Sequence, residues 1–279
     1  MEDQKPLLLY HANCPDGFGA TLPFHLKYGD SIEYVAVTHK QKPFHGLSQK
    51  MFKDRIVWMI DISFVRKDTL RIKKLAKEFI NIDHHLGNQQ KLGDLEYCHF
   101  DMNHSGAVLS WKYCFPEQPV PKLLQYIEDR DINNWNLPYA KELLSSIDAH
   151  EKTFDIWEAL MRRLEDPVGF SELLEEGAVI YHYNHTLMEI IKKGIYYTDI
   201  KGYRVPIINT PFFRNEILTE LTREHPFAAG YHYDGESFIF SLRSTDKGVN
   251  TLEIASQFPG GGGHRNASGF SVKSLDDLK

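Results

Sequence analysis

The chain has 279 residues, 42% of them apolar and 25% charged, with a formal net charge of −6, which describes a globular protein with a proper core and more than one average domain. The acidic balance argues against broad, sequence-independent binding of duplex nucleic acid, though not against a small phosphate-bearing ligand at one local site. No run reaches the ~18 apolar residues of a membrane span, no basic region precedes the first apolar stretch, and Cys14, Cys98 and Cys114 are too scattered for a disulfide framework; the expectation is no membrane, no secretory signal and a reducing, cytoplasmic setting.

Four short runs open the chain: LLLYH (7–11), IEYVAV (32–37), IVWMIDI (56–62) and FINID (79–83). They are β-branched, aromatic and almost wholly apolar, the pattern of strands covered on both faces. VRKDTLRIKKLAKE, before the fourth, spaces Val65, Leu70 and Leu75 among charges at a helical rhythm. This alternation predicts an α/β fold built on a doubly wound, mainly parallel sheet. From about residue 120 the pattern turns helical, through PKLLQYIEDRD, KELLSSIDAHE and FDIWEALMRRLED. The segment 169–194 reads as one long helix ended by Gly194 and leading to a second domain. The remainder is β-rich, with a hairpin turn at Asp234-Gly235. The predicted divisions are 1–168, a helical connector over 169–198, and a smaller α/β domain over 199–279.

Three of the four runs end in metal-type ligands, at the strand ends where such sheets bind ligands. The first ends at His11 and enters NCPDGFGA with Asp16, the third reaches Asp61, and the fourth delivers Asp83, His84 and His85. Oxygen and imidazole donors suit manganese, magnesium or iron better than a structural zinc. Two such ions about 3.5–4 Å apart, bridged by a carboxylate, clamp the attacking and leaving oxygens of a phosphoryl group. Neighbouring strand-end residues point in different directions, so one of His84 and His85 faces metal and the other substrate. Singly, Asp16 or Asp61 reads as a solvated loop acid; at three strand ends together, the set reads as a metal centre. Cys14, with no second cysteine nearby, reads as a small apolar filler before it reads as a ligand.

Ser105, opening HSGAVLSWKYCF, is either an N-cap or the start of a helix offering backbone N–H groups to phosphate. In YIEDRDINNW, Asp129 is a candidate ligand and Arg130 a candidate phosphate contact, against a surface Asp-Arg-Asp pairing. In GGGGHRNASG (260–269), Gly261, Gly262 and Gly263 read as an anion nest. His264, and Arg243 from the preceding hairpin, stand as phosphate donors.

IDHH resembles the signature of the DHH phosphoesterase superfamily, and GGGGHRNASGF is similar to the GGGHxxAxG motif of its associated C-terminal DHHA1 domain. In that order, joined by a helical connector, the two motifs span nearly the whole chain. They resemble the two-domain members that degrade very short RNAs (nanoRNases), 3'-phosphoadenosine 5'-phosphate or cyclic dinucleotides. The resemblance implies a DHH domain over 1–168 and a DHHA1 substrate domain over 199–279. It implies two manganese ions, with magnesium as substitute, held by His11, Asp16, Asp61, His84 and Asp129, with Asp61 as bridge. Asp83, His84 and His85 would be catalytic, Asp83 orienting its neighbours and His85 contacting phosphate. Ser105, Arg130, Arg243, Gly261, Gly262, Gly263 and His264 would hold substrate. HANCPDG departs from many relatives in having Asn13 and Phe18 where aspartates are expected, and a neutral carbonyl at Asn13 would hold a metal more weakly.

The activity implied is a manganese-dependent, two-metal phosphodiesterase releasing 5'-mononucleotides from short oligonucleotides or dinucleotides. The alternatives are a phosphatase for nucleotide 3'-phosphates, a cyclic-dinucleotide phosphodiesterase, and a nucleotide sensor that does not hydrolyse. The partners expected are a short single-stranded oligonucleotide or nucleotide and at most a second copy of the chain, without membrane or duplex.

Overall fold

The computed structural model describes residues 4–38 and 43–278, so Met1–Asp3 of the segment read for a signal lie outside it. The chain divides into two compact units, 1–181 and 182–279.

In the first unit, β1 (Leu7–His11), β2 (Glu33–Val37), β3 (Ile56–Ile60), β4 (Glu78–Asp83) and β5 (Cys98–Phe100) form one parallel sheet in the order β2-β1-β3-β4-β5. The four apolar runs are its first four strands; β5, three residues long, is too short to carry a pattern of its own. Strand alternation sends Leu8, Trp58, Ile60 and Ile82 to one face. There they pack on α1 (Pro15–Tyr28), α4 (Gly106–Cys114), α5 (Lys122–Asp131), α6 (Ala140–Ala149) and α7 (Phe154–Glu165). Leu7, Leu9, Val57, Met59 and Phe79 go to the other face, with Ile72 of α2 (Arg66–Leu75) and Leu92 of α3 (Leu86–Leu92). Both faces are covered, which is why these strands carry so few polar residues. The sheet is doubly wound, as predicted.

Strand order reverses at β1, whose neighbours are β2 on one side and β3 on the other. An open α/β sheet binds ligands beyond the carboxyl ends of its strands at such a reversal. His11 closes β1, and Asp61 follows β3 directly.

The long predicted helix is α8 (Pro167–Lys192), and the division between the units falls within it. In the second unit, β6 (Tyr196–Ile200), β7 (Tyr203–Asn209), β8 (Ala228–Tyr233), β9 (Phe238–Arg243), β10 (Gly262–His264) and β11 (Ala267–Val272) form a mixed sheet. Its order is β10-β11-β9-β8-β7-β6, with β7 and β8 parallel through α9 (Arg214–Leu221) and the other pairings antiparallel. Asp234 closes the predicted hairpin by accepting the backbone N–H groups of Glu236 and Ser237, while Gly235 takes φ 101°. A small α10 (Thr251–Ala255) leads into the glycine segment.

Candidate metal centre

His84 sits among three carboxylates. Its Nε2 lies 3.2 Å from Asp61 Oδ1, 3.3 Å from Asp131 Oδ2 and 3.8 Å from Asp16 Oδ2. On the far side of Asp61, Oδ2 stands 3.5 Å from His11 Nδ1. That oxygen is buried and accepts no hydrogen bond. Asp61 itself is 2% exposed and takes φ 53°, an unusual conformation at the point where the chain leaves β3. A buried carboxylate oxygen without a hydrogen-bond donor is costly unless a cation completes it.

The electrostatics agree. Burial, then the charges of Asp61 and Asp131, push the Asp16 carboxyl well above the usual carboxylate range. Burial also raises Asp131, against the pull of His84. For Asp61 burial works upward, but His11 and His84 outweigh it and hold the group low. Burial opposes charging of His84, yet Asp61, Asp16 and Asp131 together push it up to about 9. Without a cation, this cluster depends on protons to balance its charge. Divalent metal ions fit the donor set.

Asp16 is held by contacts distant in sequence. Asp16, 1% exposed, accepts the N–H groups of Gly106 at 2.7 Å and Ala107 at 3.0 Å. The start of α4 is therefore occupied by a carboxylate rather than open to phosphate. Ser105 is its N-cap, accepting from Val108 N–H. Gly106 is required by the close approach: a Cβ there would lie 2.6 Å from Asp61 Cβ and 2.9 Å from Asp16 Oδ2. Gly106→Ala is expected to displace both acids and lower cation affinity by about 10–100-fold, the usual cost of disturbing what orients a ligand. Isothermal titration against an unchanged far-ultraviolet circular dichroism spectrum would check this; wild-type affinity would show that the helix start does not set the site.

Asp83 is 0% exposed, and its oxygens are fully engaged. Oδ1 accepts His84 N–H at 2.7 Å and His85 N–H at 3.2 Å, and lies 2.6 Å from His85 Nδ1. Oδ2 accepts from Ser63 Oγ and from Asn88 Nδ2. Despite burial, His85 first, then Ser63 and Asn88, hold its pKa down to about 2. Asp83 thus orients the two histidines, which stand with ring centroids 4.5 Å apart. His85 is half-exposed, its Nδ1 committed to Asp83 and its Nε2 side turned away from that bond. Asn81 and Ser63 have the same character and were not among the predicted residues: Asn81 donates to Met59 O and Ile62 O, fixing the loop that carries Asp61. A buried Asn within an apolar strand run was the available signal.

Other predicted residues lie elsewhere. Asp129 faces away from the cluster, accepting the N–H groups of Asn136 and Leu137 at 2.8 and 3.1 Å. Asp131, two residues on, stands at the site instead. Arg130 pairs with Asp148 through both terminal nitrogens rather than with its flanking acids. Asn13 is exposed at φ 58° and belongs to no ligand group found among the described residues. Phe18 is core, packed on Phe154 and Trp157. The residue that does reach the site is Cys14: its sulfur, a His11 ring nitrogen and an Asp61 carboxylate oxygen lie within 4.8 Å of one another. A cavity of about 740 Å³ near Phe44 and Arg71 shares no lining residue with the cluster, so ligand geometry and not concavity marks the site.

In the second unit the glycine segment runs from a turn at Gly260 into β10, which takes up Gly262 and Gly263. A Cβ at Gly261 would lie 1.8 Å from Ala255 O, and one at Gly263, at φ 134°, 2.5 Å from Ser268 Cα. Both glycines therefore answer to their own chain, while Gly262 has open space. His264 pairs with Ala267, which pairs with Arg243, so the small Ala267 separates two cationic-type side chains on one sheet face. Arg243 donates to Asn215 Oδ1, and burial and the nearby Arg214 charge lower its pKa.

Solved structures share this architecture. The DHH domain of a member of a ribosomal-protein family aligns with TM-score 0.58 at 13% identity, covering 98% of this chain and 84% of that one. A pGpG-specific phosphodiesterase from Vibrio cholerae aligns with TM-score 0.53 at 14% identity, covering 98% and 94%. The fold is that of these structures, one of them a DHH domain, as the IDHH motif implied. No family model matches the chain. Uncharacterized protein R106 of Acanthamoeba polyphaga mimivirus is 32% identical over 299 aligned positions, covering 98% of this chain and 69% of that protein, and the chain belongs to its family.

Proposed function

We propose that the chain is a divalent-cation-dependent phosphodiesterase that releases 5'-mononucleotides from dinucleotides and short single-stranded oligonucleotides, with manganese as a working metal. The observation that carries this reading is the sharing of Asp61 between two ligand groups, one with His11 and Cys14 and one with Asp83, His84 and His85, while His84 also stands in a third group with Asp16 and Asp131. Cations held by His11, Asp16, Asp61, His84 and Asp131 would supply Lewis-acid stabilisation of charge on phosphoryl oxygens and would favour ionisation of the attacking water. The chain's own part is positioning. Asp83 holds the His85 ring so that its outer edge donates to a phosphate oxygen. The acidic net charge supports a short substrate over a duplex.

The test is product analysis with purified protein and manganese. The panel holds linear dinucleotides (pGpG among them, the substrate named for the Vibrio structure), a five-nucleotide RNA, a cyclic dinucleotide, phosphoadenosine phosphate and duplex DNA. Mononucleotides from the linear short substrates, with the duplex left intact, are the expected result. Silence across the panel while metal is bound would sink the reading.

A further inference from the structure

We infer that the two cation positions differ in chemical hardness, because Cys14 serves as a thiolate ligand in one of them. This rests on the two-cation reading above and assigns the metal class of each position. His11, Cys14 and Asp61 offer nitrogen, sulfur and oxygen; Asp16, His84 and Asp131, with Asp61 Oδ1 3.2 Å from His84, offer nitrogen and oxygen alone. A thiolate selects softer ions such as zinc, iron(II) or cobalt(II), whereas carboxylates with one imidazole suit manganese or magnesium.

Three observations set Cys14 apart from a packing residue. Cys98 and Cys114 lie in apolar clusters, with thiols pushed up to about 12 by burial. Cys14 belongs to neither cluster and is only partly buried. It occupies the N-cap of α1, yet its side chain makes no capping hydrogen bond. Its sulfur lies within 4.8 Å of a His11 ring nitrogen and an Asp61 carboxylate oxygen. Neither packing nor capping accounts for that position. Independently, Asp61 Oδ2, buried and accepting no hydrogen bond, has His11 as its ion-pair neighbour within this group. A cation there would give that oxygen a closer partner than the His11 ring nitrogen at 3.5 Å. On binding, the sulfur–hydrogen bond of Cys14 breaks, its proton leaves to water, and the sulfur electron pair goes to the cation. The thiolate takes the place of the acid that the HANCPDG motif lacks at Asn13 and Phe18.

The experiment uses the full chain, stripped by chelator under reducing conditions and titrated with cobalt(II) alone. Expected is a near-ultraviolet sulfur-to-cobalt charge-transfer band that saturates at one equivalent while a second equivalent binds without adding to it. Cys14→Ser should lose the band and weaken cobalt and zinc binding by at least about 10–100-fold, with manganese still taken up at the harder position. Cys14→Asp should recover two-ion binding without the band and shift the first position toward manganese. Cobalt bound without a band, or unchanged cobalt affinity in Cys14→Ser, would overturn the inference. A band without hydrolysis of any phosphodiester leaves the inference standing and removes the proposed function, whereas a folded chain that binds no cation removes both.

Discussion

Asp61→Asn is expected to abolish metal-dependent hydrolysis, with a loss of at least about 1,000-fold, since metal ions supply several kcal/mol of transition-state stabilisation. The substitution keeps the shape of the side chain, so the argument rests on its two oxygens. Oδ1 faces His84 at 3.2 Å and Oδ2 faces His11 at 3.5 Å, so each oxygen belongs to a different ligand group. An amide offers one acceptor where the carboxylate offers two, and its NH2 repels a cation. The same change should be visible without any substrate. A ligand present at 100 times its dissociation constant stabilises the state that binds it by about 2.7 kcal/mol, several degrees in Tm. Wild-type protein should show that rise on adding manganese, and Asp61→Asn should not. The metal-free variant should be less stable than metal-free wild type near neutral pH, because the Asp61 charge that His11 and His84 hold in the ionised form is lost. A folded Asp61→Asn protein that still binds two equivalents would refute the bridging role.

What the sequence could reveal of this site followed from how each residue is positioned. His11 and the Asp83-His84-His85 run were legible because they terminate apolar runs, and in an open α/β sheet the carboxyl end of a strand is a known place. The fold was legible for the same reason: both-face burial leaves a continuous apolar run that few other environments produce. The supports were not legible, because they come from far along the chain. Nothing near Asp16 announces that Gly106 and Ala107, some 90 residues on, will hold its carboxylate. Cys14 was read as filler because no second cysteine lies nearby in sequence; the fold sets its sulfur within 4.8 Å of a His11 nitrogen and an Asp61 oxygen. The glycines at 261 and 263 were read for a ligand, when a strand packed tightly on its own neighbours demands them equally.

Asp129 and Asp131 present the sharpest test, since they lie two residues apart at the end of α5 and their roles are exchanged relative to expectation. Two residues on a helix point roughly 200° apart, so one cannot substitute for the other. Asp131 follows the buried Leu123 and Ile127 at i+8 and i+4 along the helix and, itself exposed, stands beside His84. Asp129 turns instead to the loop that follows and accepts two of its N–H groups. Asp129→Asn is therefore expected to cost about 2 kcal/mol, because a donor replaces an acceptor opposite a backbone N–H. For a unit of this size that is a fall in Tm of roughly 4–8 °C, with cation stoichiometry unchanged in the protein that remains folded. Asp131→Asn should do the reverse. Its metal-free Tm should hold or rise, since burial and the neighbouring Asp61 charge already disfavour its ionised form. Cation binding at the harder position and hydrolysis should fall by at least about 100-fold, beyond the cost of disturbing a residue that only supports a ligand. Thermal melts paired with metal titrations of the two variants decide it: loss of metal in Asp129→Asn with full stability, against stability lost in Asp131→Asn with metal retained, would reverse the assignment.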